Sequence, residues 1–296
     1  MNRLFSLIII AGCAVVHPAL SFAYDGSERV TDKGDKVLRI ASYNVGVFGK
    51  TDESSIDLIA GMMKELEPDM IAMQELDSCA NRSGKDIFQL KEFAKEMGDW
   101  HYRFARAIPF EGGGYGTGMA ISPEFNPISS FSVSLPQGQG AEARALAVIE
   151  TKEFAVASVH LDHVSDQARL EQMKIVTGTL KERYGRSGKP VFLCGDFNST
   201  PESETIAELK KDWTILSPLD ATIPSTSPKE CIDYIAILNN GAKYETVKAE
   251  VCRSFLSGNT ATASDHLPVF VEIRLLPTTT PVQSGTMQMM KARQTR

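Results

Sequence analysis

The chain has 296 residues, with 31 basic and 37 acidic side chains and a formal net charge of −6 at pH 7. An acidic chain lacks the uniform positive field that dominates non-specific nucleic-acid binding, which disfavours a DNA-coating role while leaving room for a local basic cleft. Residues 24–276 carry no internal repeat and no linker-like stretch, so one large domain is expected there.

The first residues set Arg3 ahead of an apolar run from Leu4 to Val16 and end in Ser21-Phe22-Ala23. This is the pattern of a secretory signal peptide over residues 1–23, cleaved after Ala23, and the run is too short to span a bilayer comfortably. The stretch "IAGC", ending at Cys13, is similar to a bacterial lipoprotein box but would leave an apolar "AVV" after the lipidated cysteine, so it ranks second. Without lipidation at Cys13, no stable membrane insertion is expected. Loss of Arg3 leaves 30 basic against 37 acidic side chains, a net charge of −7 on a secreted or periplasmic protein.

Short apolar strands alternate with amphipathic helices through the first two-thirds of the chain. Residues 37–43 read as a strand, and residues 55–66 as a helix with Ile56, Ile59, Ala60, Met63 and Leu66 on one face. A strand over 70–74 follows, then a helix marked by Ile87, Leu90, Ala94 and Met97. Strand-like runs fall near 101–106, 117–121, 128–134, 143–149 and 154–160, before a long helix over 166–184 and a strand over 191–194. Further strands are expected near 232–238, 246–252 and 269–275. So many consecutive strands favour two packed sheets flanked by helices over a doubly wound parallel sheet. Residues 277–296 are polar and without periodicity, and read as a disordered tail.

Cys79, Cys194, Cys231 and Cys252 survive leader removal, and no pair has zinc-ligand spacing. Cys231 and Cys252 flank two strand-like runs joined by "NNGAK"; a hairpin there would bring them together for a disulfide in an oxidising compartment.

Four apolar strands end in a side chain suited to metal or phosphate: Asn44, Glu75, His160 and Asp196, the last followed by Asn198. Asp and Asn also favour simple turns, but ligands collect outside the carboxyl ends of strands, and four such endings point to one site. Asp233 stands in an apolar strand and needs a buried partner, for which "SDH" offers Asp265 and His266. Glycines around Tyr115 fit a hairpin or a ligand loop, and lack the Gly-Lys-Ser/Thr of a P-loop. This oxygen-rich set with two histidines suits a hard cation, Mg²⁺, Mn²⁺ or Ca²⁺, and metal-assisted hydrolysis of a phosphoester. A serine hydrolase is disfavoured because there is no G-x-S-x-G.

The stretches "SYNVG", "MQELDS", "YGTGMAIS", "SVHLDH", "LCGDFNSTPES", "CIDYI" and "SDHLPV" occur in the order found in the endonuclease/exonuclease/phosphatase superfamily. The chain resembles a secreted bacterial member of it. The resemblance implies a four-layered α/β sandwich of two packed mixed sheets flanked by helices, as in deoxyribonuclease I. It implies Asn44 and Glu75 as metal ligands, with Asp265 as a further one. His160 would contact the scissile phosphate or act as an acid, Asp196 would orient or deprotonate water, and Asn198 would hold a phosphoryl oxygen. His266, oriented by Asp233, would stabilise the phosphorane, with Tyr115 at the substrate phosphate. Arg82 and Arg144 stand where secreted members carry arginine and suit bidentate phosphate binding, with a surface ion pair as the competing reading. Val159 replaces the polar residue usual before the histidine, which puts the hydrogen-bond support of His160 in question. The expected substrate is a phosphomonoester or phosphodiester, small molecule or nucleic acid, handled by a monomer. A nuclease is the alternative, and an inactive phosphate-ligand binding protein is the alternative of another class.

Overall fold

A computed structural model describes residues 33–277; the expected signal peptide with Cys13, and the expected disordered tail past Pro277, lie outside the described residues. In chain order the elements are β1 (Leu38–Asn44), α1 (Ile56–Leu66), β2 (Met70–Ser78), α2 (Gln89–Glu96), β3 (His101–Phe110), β4 (Gly113–Ile121), β5 (Ser129–Leu135), β6 (Arg144–Glu150) and β7 (Ala155–His160). There follow α3 (Asp166–Tyr184), β8 (Val191–Asp196), α4 (Glu204–Leu209), β9 (Trp213–Ile215), β10 (Asp233–Leu238), β11 (Tyr244–Val251), α5 (Thr260–Ala263) and β12 (Val269–Leu275). Serine caps start the two helices anticipated most fully from sequence. Ser55 accepts from the Leu58 N–H ahead of α1 and Ser165 from the Ala168 N–H ahead of α3, each satisfying a donor the helix leaves open.

The strands form two mixed six-stranded sheets, ordered β11-β12-β1-β2-β4-β3 and β5-β6-β7-β8-β10-β9. In each sheet one pair is parallel, β1 with β2 and β7 with β8. Side-chain alternation builds the layers. Ile40, Met70, Ala72, Val156, Phe192, Cys194, Ile235 and Val271 fill the core between the sheets. Ala41, Tyr43, Ile71 and Met73 face outward with α1 and α2, while Ala157, Val159, Val191 and Leu193 face outward with α3 and α4. The result is the expected four-layered α/β sandwich.

Alternation also positions the site. Asn44, His160, Asp196 and Asp233 share the parity of the residues between the sheets, and they stand at one end of β1, β7, β8 and β10. His160 pairs with Asp196 across β7 and β8, and Asp233 with Asp196 across β10 and β8. Gly195 permits this approach: a Cβ there would lie 2.0 Å from the Val159 carbonyl oxygen.

The expected hairpin between Cys231 and Cys252 does not form. Both edges of β10 are occupied, by β8 and β9, and β11 instead pairs with β12 in the other sheet. Cys231 packs in the core under α3 and Cys252 in the core under α1, and both are free thiols. The glycine-rich stretch around Tyr115 is the β3–β4 hairpin, turning at Glu111 and Gly112. Among the described residues no helix is long and apolar enough to cross a membrane.

Candidate active site

Asn44 stands at the centre of the cluster. Its amide Nδ2 lies 3.1 Å from Glu75 Oε1, 3.0 Å from Asp196 Oδ2 and 3.4 Å from His266 Nε2, while its Oδ1 accepts the Gly46 N–H at 3.1 Å. Glu75 reaches this point because β2 bulges between Met73 and Leu76, with φ of Glu75 at +55°. Bulges re-aim a side chain at the edge of regular pairing, and a positive φ on a non-glycine residue is the kind of strain that collects at functional sites.

His266 precedes β12 and is buried beside two carboxylates. Its Nδ1 lies 2.9 Å from Asp233 Oδ2, which also accepts from Thr222 Oγ1 at 2.5 Å, and its Nε2 is 3.6 Å from Asp196 Oδ2. Burial opposes the charged imidazolium, but the carboxylates of Asp233 and Asp196 outweigh it and raise its pKa to about 10. Asp196 is likewise raised above its usual range. Burial, helped by Asp233 and opposed by His266, pushes it up to about 7. The pair therefore offers a cationic imidazole beside a carboxylate poised to take a proton near neutral pH.

His160 lies 3.5 Å from Asp196 through Nε2, and its buried Nδ1 has no hydrogen-bond partner among the described residues. Val159 projects to the opposite face of the sheet, so a polar side chain in its place would enter the outer core and not reach the His160 ring. Burial first, then Arg144 and His266, hold the His160 pKa well below its ordinary value. A neutral His160 can donate to a phosphoryl oxygen, which favours phosphate contact over acid catalysis in the free site. Asn198, at φ +48°, donates its backbone N–H to Asp196 Oδ1 at 2.9 Å and its Nδ2 to the Leu161 carbonyl at 3.0 Å. One further amide hydrogen remains for a phosphoryl oxygen.

The two arginines differ. Arg82 forms a fork to buried Asp77, 2.8 Å through Nε and 2.9 Å through Nη2, so that edge is already occupied. Its guanidinium lies 4.3 Å from the Phe110 ring centroid and 5.5 Å from that of Tyr115. Arg144 is 3% exposed and is no surface ion pair: Nη1 meets Glu142 at 3.1 Å, Nη2 donates to His163 Nδ1 at 2.9 Å, and the buried Nε has no partner among the described residues. Tyr115 neighbours Arg144 and Glu75, and burial raises its phenol pKa, keeping it neutral.

Two groups compete as a cation site. Asp196, Asp233 and His266 have potential ligand atoms within 4.8 Å of one another. Their atoms are close because His266 sits between the two carboxylates, with Nδ1 spent on Asp233 and Nε2 3.6 Å from Asp196. Glu75 and Asp265 fit better. Lys50 Nζ already sits between them, 3.3 Å from Glu75 Oε2 and 3.2 Å from Asp265 Oδ2, which places one positive charge between two hard oxygen donors. Sequence reasoning missed Lys50, Glu142, His163 and Thr222. Lys50 arrives by a turn in which Gly46, Val47 and Phe48 all have positive φ, at +52°, +53° and +51°, a conformation without a signature in "GVF".

Two packed sheets thus gather acids, amides and histidines at the ends of β1, β2, β7, β8 and β10. The model of the endonuclease/exonuclease/phosphatase family matches residues 41–266, and the chain belongs to that family. Solved structures of similar fold include a mannosyl-6-phosphatase of Bacteroides thetaiotaomicron, 21% identical with a TM-score of 0.65, covering 80% of this chain and 99% of that one. The human Nocturnin catalytic domain is 18% identical with a TM-score of 0.63, over 83% of this chain and 96% of that one. ANGEL2, a 2′,3′-cyclic phosphatase, is 13% identical with a TM-score of 0.62, over 80% and 95% respectively. No curated protein matches the sequence.

Proposed function

We propose that the protein is a divalent-metal-dependent phosphoesterase that hydrolyses a phosphomonoester or phosphodiester by in-line attack of water. The observation that carries this is the contact of Asn44 with Glu75, Asp196 and His266, with His266 in turn held by Asp233 through Nδ1. The family and the phosphatases among similar folds support it.

Asp196 orients the water and takes one of its protons as the oxygen attacks phosphorus. His160 and the free amide hydrogen of Asn198 hold phosphoryl oxygens. The protonated His266, oriented by Asp233, stabilises the extra negative charge of the phosphorane. As the ester bond breaks, the leaving alkoxide takes a proton from solvent and Asp196 returns its own. Glu75 and Asp265 would hold Mg²⁺, Mn²⁺ or Ca²⁺, which supplies charge neutralisation at a phosphoryl oxygen; Asn44 would join them only by turning its Oδ1, which accepts the Gly46 N–H, toward the ion. Arg144 and Tyr115 border the phosphate. The leader sequence supports action outside the cytoplasm.

A nuclease is the second reading within the class, supported by the family alone. A binding-only protein has no support from any missing site residue. The test is phosphate or product release from phosphomonoesters, phosphodiesters, nucleic acids, phosphoinositides and sphingomyelin, with each cation and with chelator. Metal-independent turnover would overturn the mechanism, and a ligand bound but returned unchanged would favour the binding protein.

A further inference from the structure

Beyond Glu75 the site continues into a pocket of about 200 Å³ lined by Glu75, Arg82, Ile108, Phe110, Tyr115 and Glu142. It lies between the bulge of β2, the tip of the β3–β4 hairpin and the loop leading into β6. Glu75 is common to the pocket and the phosphate site, so a group leaving from phosphorus has this space beside it.

The size and chemistry restrict the occupant. The volume falls below the roughly 300–1,000 Å³ of pockets for drug-sized ligands, which fits a single ring better than an extended chain. Phe110 and Tyr115 provide apolar ring faces, with centroids 6.2 Å apart and an interplanar angle of 51°. Glu75 and Glu142 provide hydroxyl acceptors. The guanidinium of Arg82 has its Nε and Nη2 edge on Asp77, which leaves Nη1 as a donor toward the pocket. Asp77 balances Arg82, as Lys50 pairs with Glu75 and Arg144 with Glu142, so the pocket holds no unpaired cation to attract a second phosphate, whereas hydroxyl groups would gain charge-assisted hydrogen bonds to its carboxylates.

Glu142 is also held in position. Arg144 Nη1 pairs with it at 3.1 Å, and the loop before it is fastened where Asp162 Oδ2 accepts the Ala141 N–H at 2.7 Å. A Cβ at Gly140 would lie 2.4 Å from the same oxygen, so the loop closes on Asp162 only with glycine there. A carboxylate fixed before the ligand arrives loses less freedom on binding.

We propose that this pocket receives a neutral, polyhydroxylated ring as leaving group, making the preferred substrate a sugar monophosphate ester. The assignment rests on the phosphoesterase reading and adds the substrate class to it.

The experiment compares kcat/KM for hexose monophosphates, a hexose bisphosphate, a dinucleotide and ethyl phosphate, whose leaving group has no ring or hydroxyl to fill the pocket. It is run for the wild type, Phe110→Ala and Glu142→Gln, each with Mg²⁺, Mn²⁺ and Ca²⁺ in turn. The ratio of hexose monophosphate to ethyl phosphate is independent of the active fraction of each preparation. It should exceed one in the wild type and fall about 10- to 200-fold in either variant, the range expected for lost pocket contacts. A ratio unmoved by both variants overturns the pocket assignment, as does preference for the bisphosphate or dinucleotide; ethyl phosphate turnover then keeps the phosphoesterase reading. No turnover of any ester with any cation overturns that reading and the assignment with it.

Discussion

Asp233 Oδ2 lies 2.9 Å from His266 Nδ1, with both side chains sealed from solvent and Thr222 Oγ1 donating to the same carboxylate oxygen. The contact makes the protonated imidazole the stable form. The folded pKa of His266 is raised from 6.5 to about 10, so its contribution to stability is full below pH 6.5 and is lost as pH rises through about 10. Activity that needs the imidazolium should follow the same alkaline limit. Asp233→Asn removes the main raising charge and should lower kcat and shift the alkaline limb to lower pH. The kcat–pH profiles of both proteins check this; an unmoved limb would detach His266 from it.

Asp196 and Glu75 should separate chemistry from metal binding. With its pKa raised to about 7, Asp196 gains its basic form as pH rises through that value, setting the acidic limb; a bound cation nearby would move that limb to lower pH. Asp196→Asn should lower kcat by about 10²–10⁴-fold, the usual worth of a positioned base, with Mg²⁺ affinity nearly retained. Glu75→Gln should weaken Mg²⁺ binding and recover part of its activity at high Mg²⁺ or Mn²⁺. Calorimetric titration beside kcat at several metal concentrations distinguishes the two. Near-wild-type kcat in Asp196→Asn would assign water activation elsewhere.

Much of this site is legible in the sequence because a strand has a period of two. Asn44, His160 and Asp196 each follow an apolar run, and the register that buries Ile40, Val156 and Phe192 turns these polar ends toward the same gap. Helix α3 is legible for a similar reason, with Ser165 as its cap and buried positions recurring along it. Long-range choices are not legible. The sequence between Cys231 and Cys252 resembles a hairpin because each run suits a strand, and nothing local records that β9 occupies the edge of β10. Lys50 and Glu142 reach the site through irregular backbone, where spacing along the chain no longer measures distance.

Away from the site, Arg39 and Glu272 form a buried ion pair across β1 and β12, with side chains 1% and 3% exposed. Arg39 also donates to the Leu66 carbonyl at the end of α1, tying the sheet to its covering helix. Glu272→Ala leaves the guanidinium charge without its carboxylate, which costs about 3–5 kcal/mol when such a pair is broken in a protein interior. At about 2–4 °C per kcal/mol for a domain of this size, Tm should fall by roughly 6–20 °C. Thermal unfolding of the two proteins at equal metal concentration measures it. A change within 2 °C would mean that the remaining partners of Arg39 suffice.

Lys50 lies where a divalent cation would meet Glu75 and Asp265. Its ammonium bridges Glu75 and Asp265, and Glu75 and Asp265 raise its pKa against the opposing effect of burial, so it stays charged at neutral pH. The turn that delivers it is costly: Val47 and Phe48 hold left-handed backbone, each at about 1–3 kcal/mol, secured in part by the Gln89 side chain donating to the Val47 carbonyl at 2.6 Å. Gly46 leaves room for the stem, since a Cβ there would lie 2.2 Å from Lys50 Cγ. A divalent cation binding the same carboxylates must displace this ammonium or bind beside it. Two unit charges about 4 Å apart repel by ~1 kcal/mol in water and ~4 kcal/mol at an effective dielectric of 20, and this half-buried position lies between those limits. Lys50→Met should therefore tighten Mg²⁺ binding on the order of tenfold, one decade being about 1.4 kcal/mol. Lys50→Arg keeps the charge and should leave the affinity close to wild type. Calorimetric Mg²⁺ titration of the three proteins reads this directly without any substrate. An unchanged or weaker affinity in Lys50→Met would show that the ammonium does not compete for these carboxylates and would place the cation away from the Glu75–Asp265 pair.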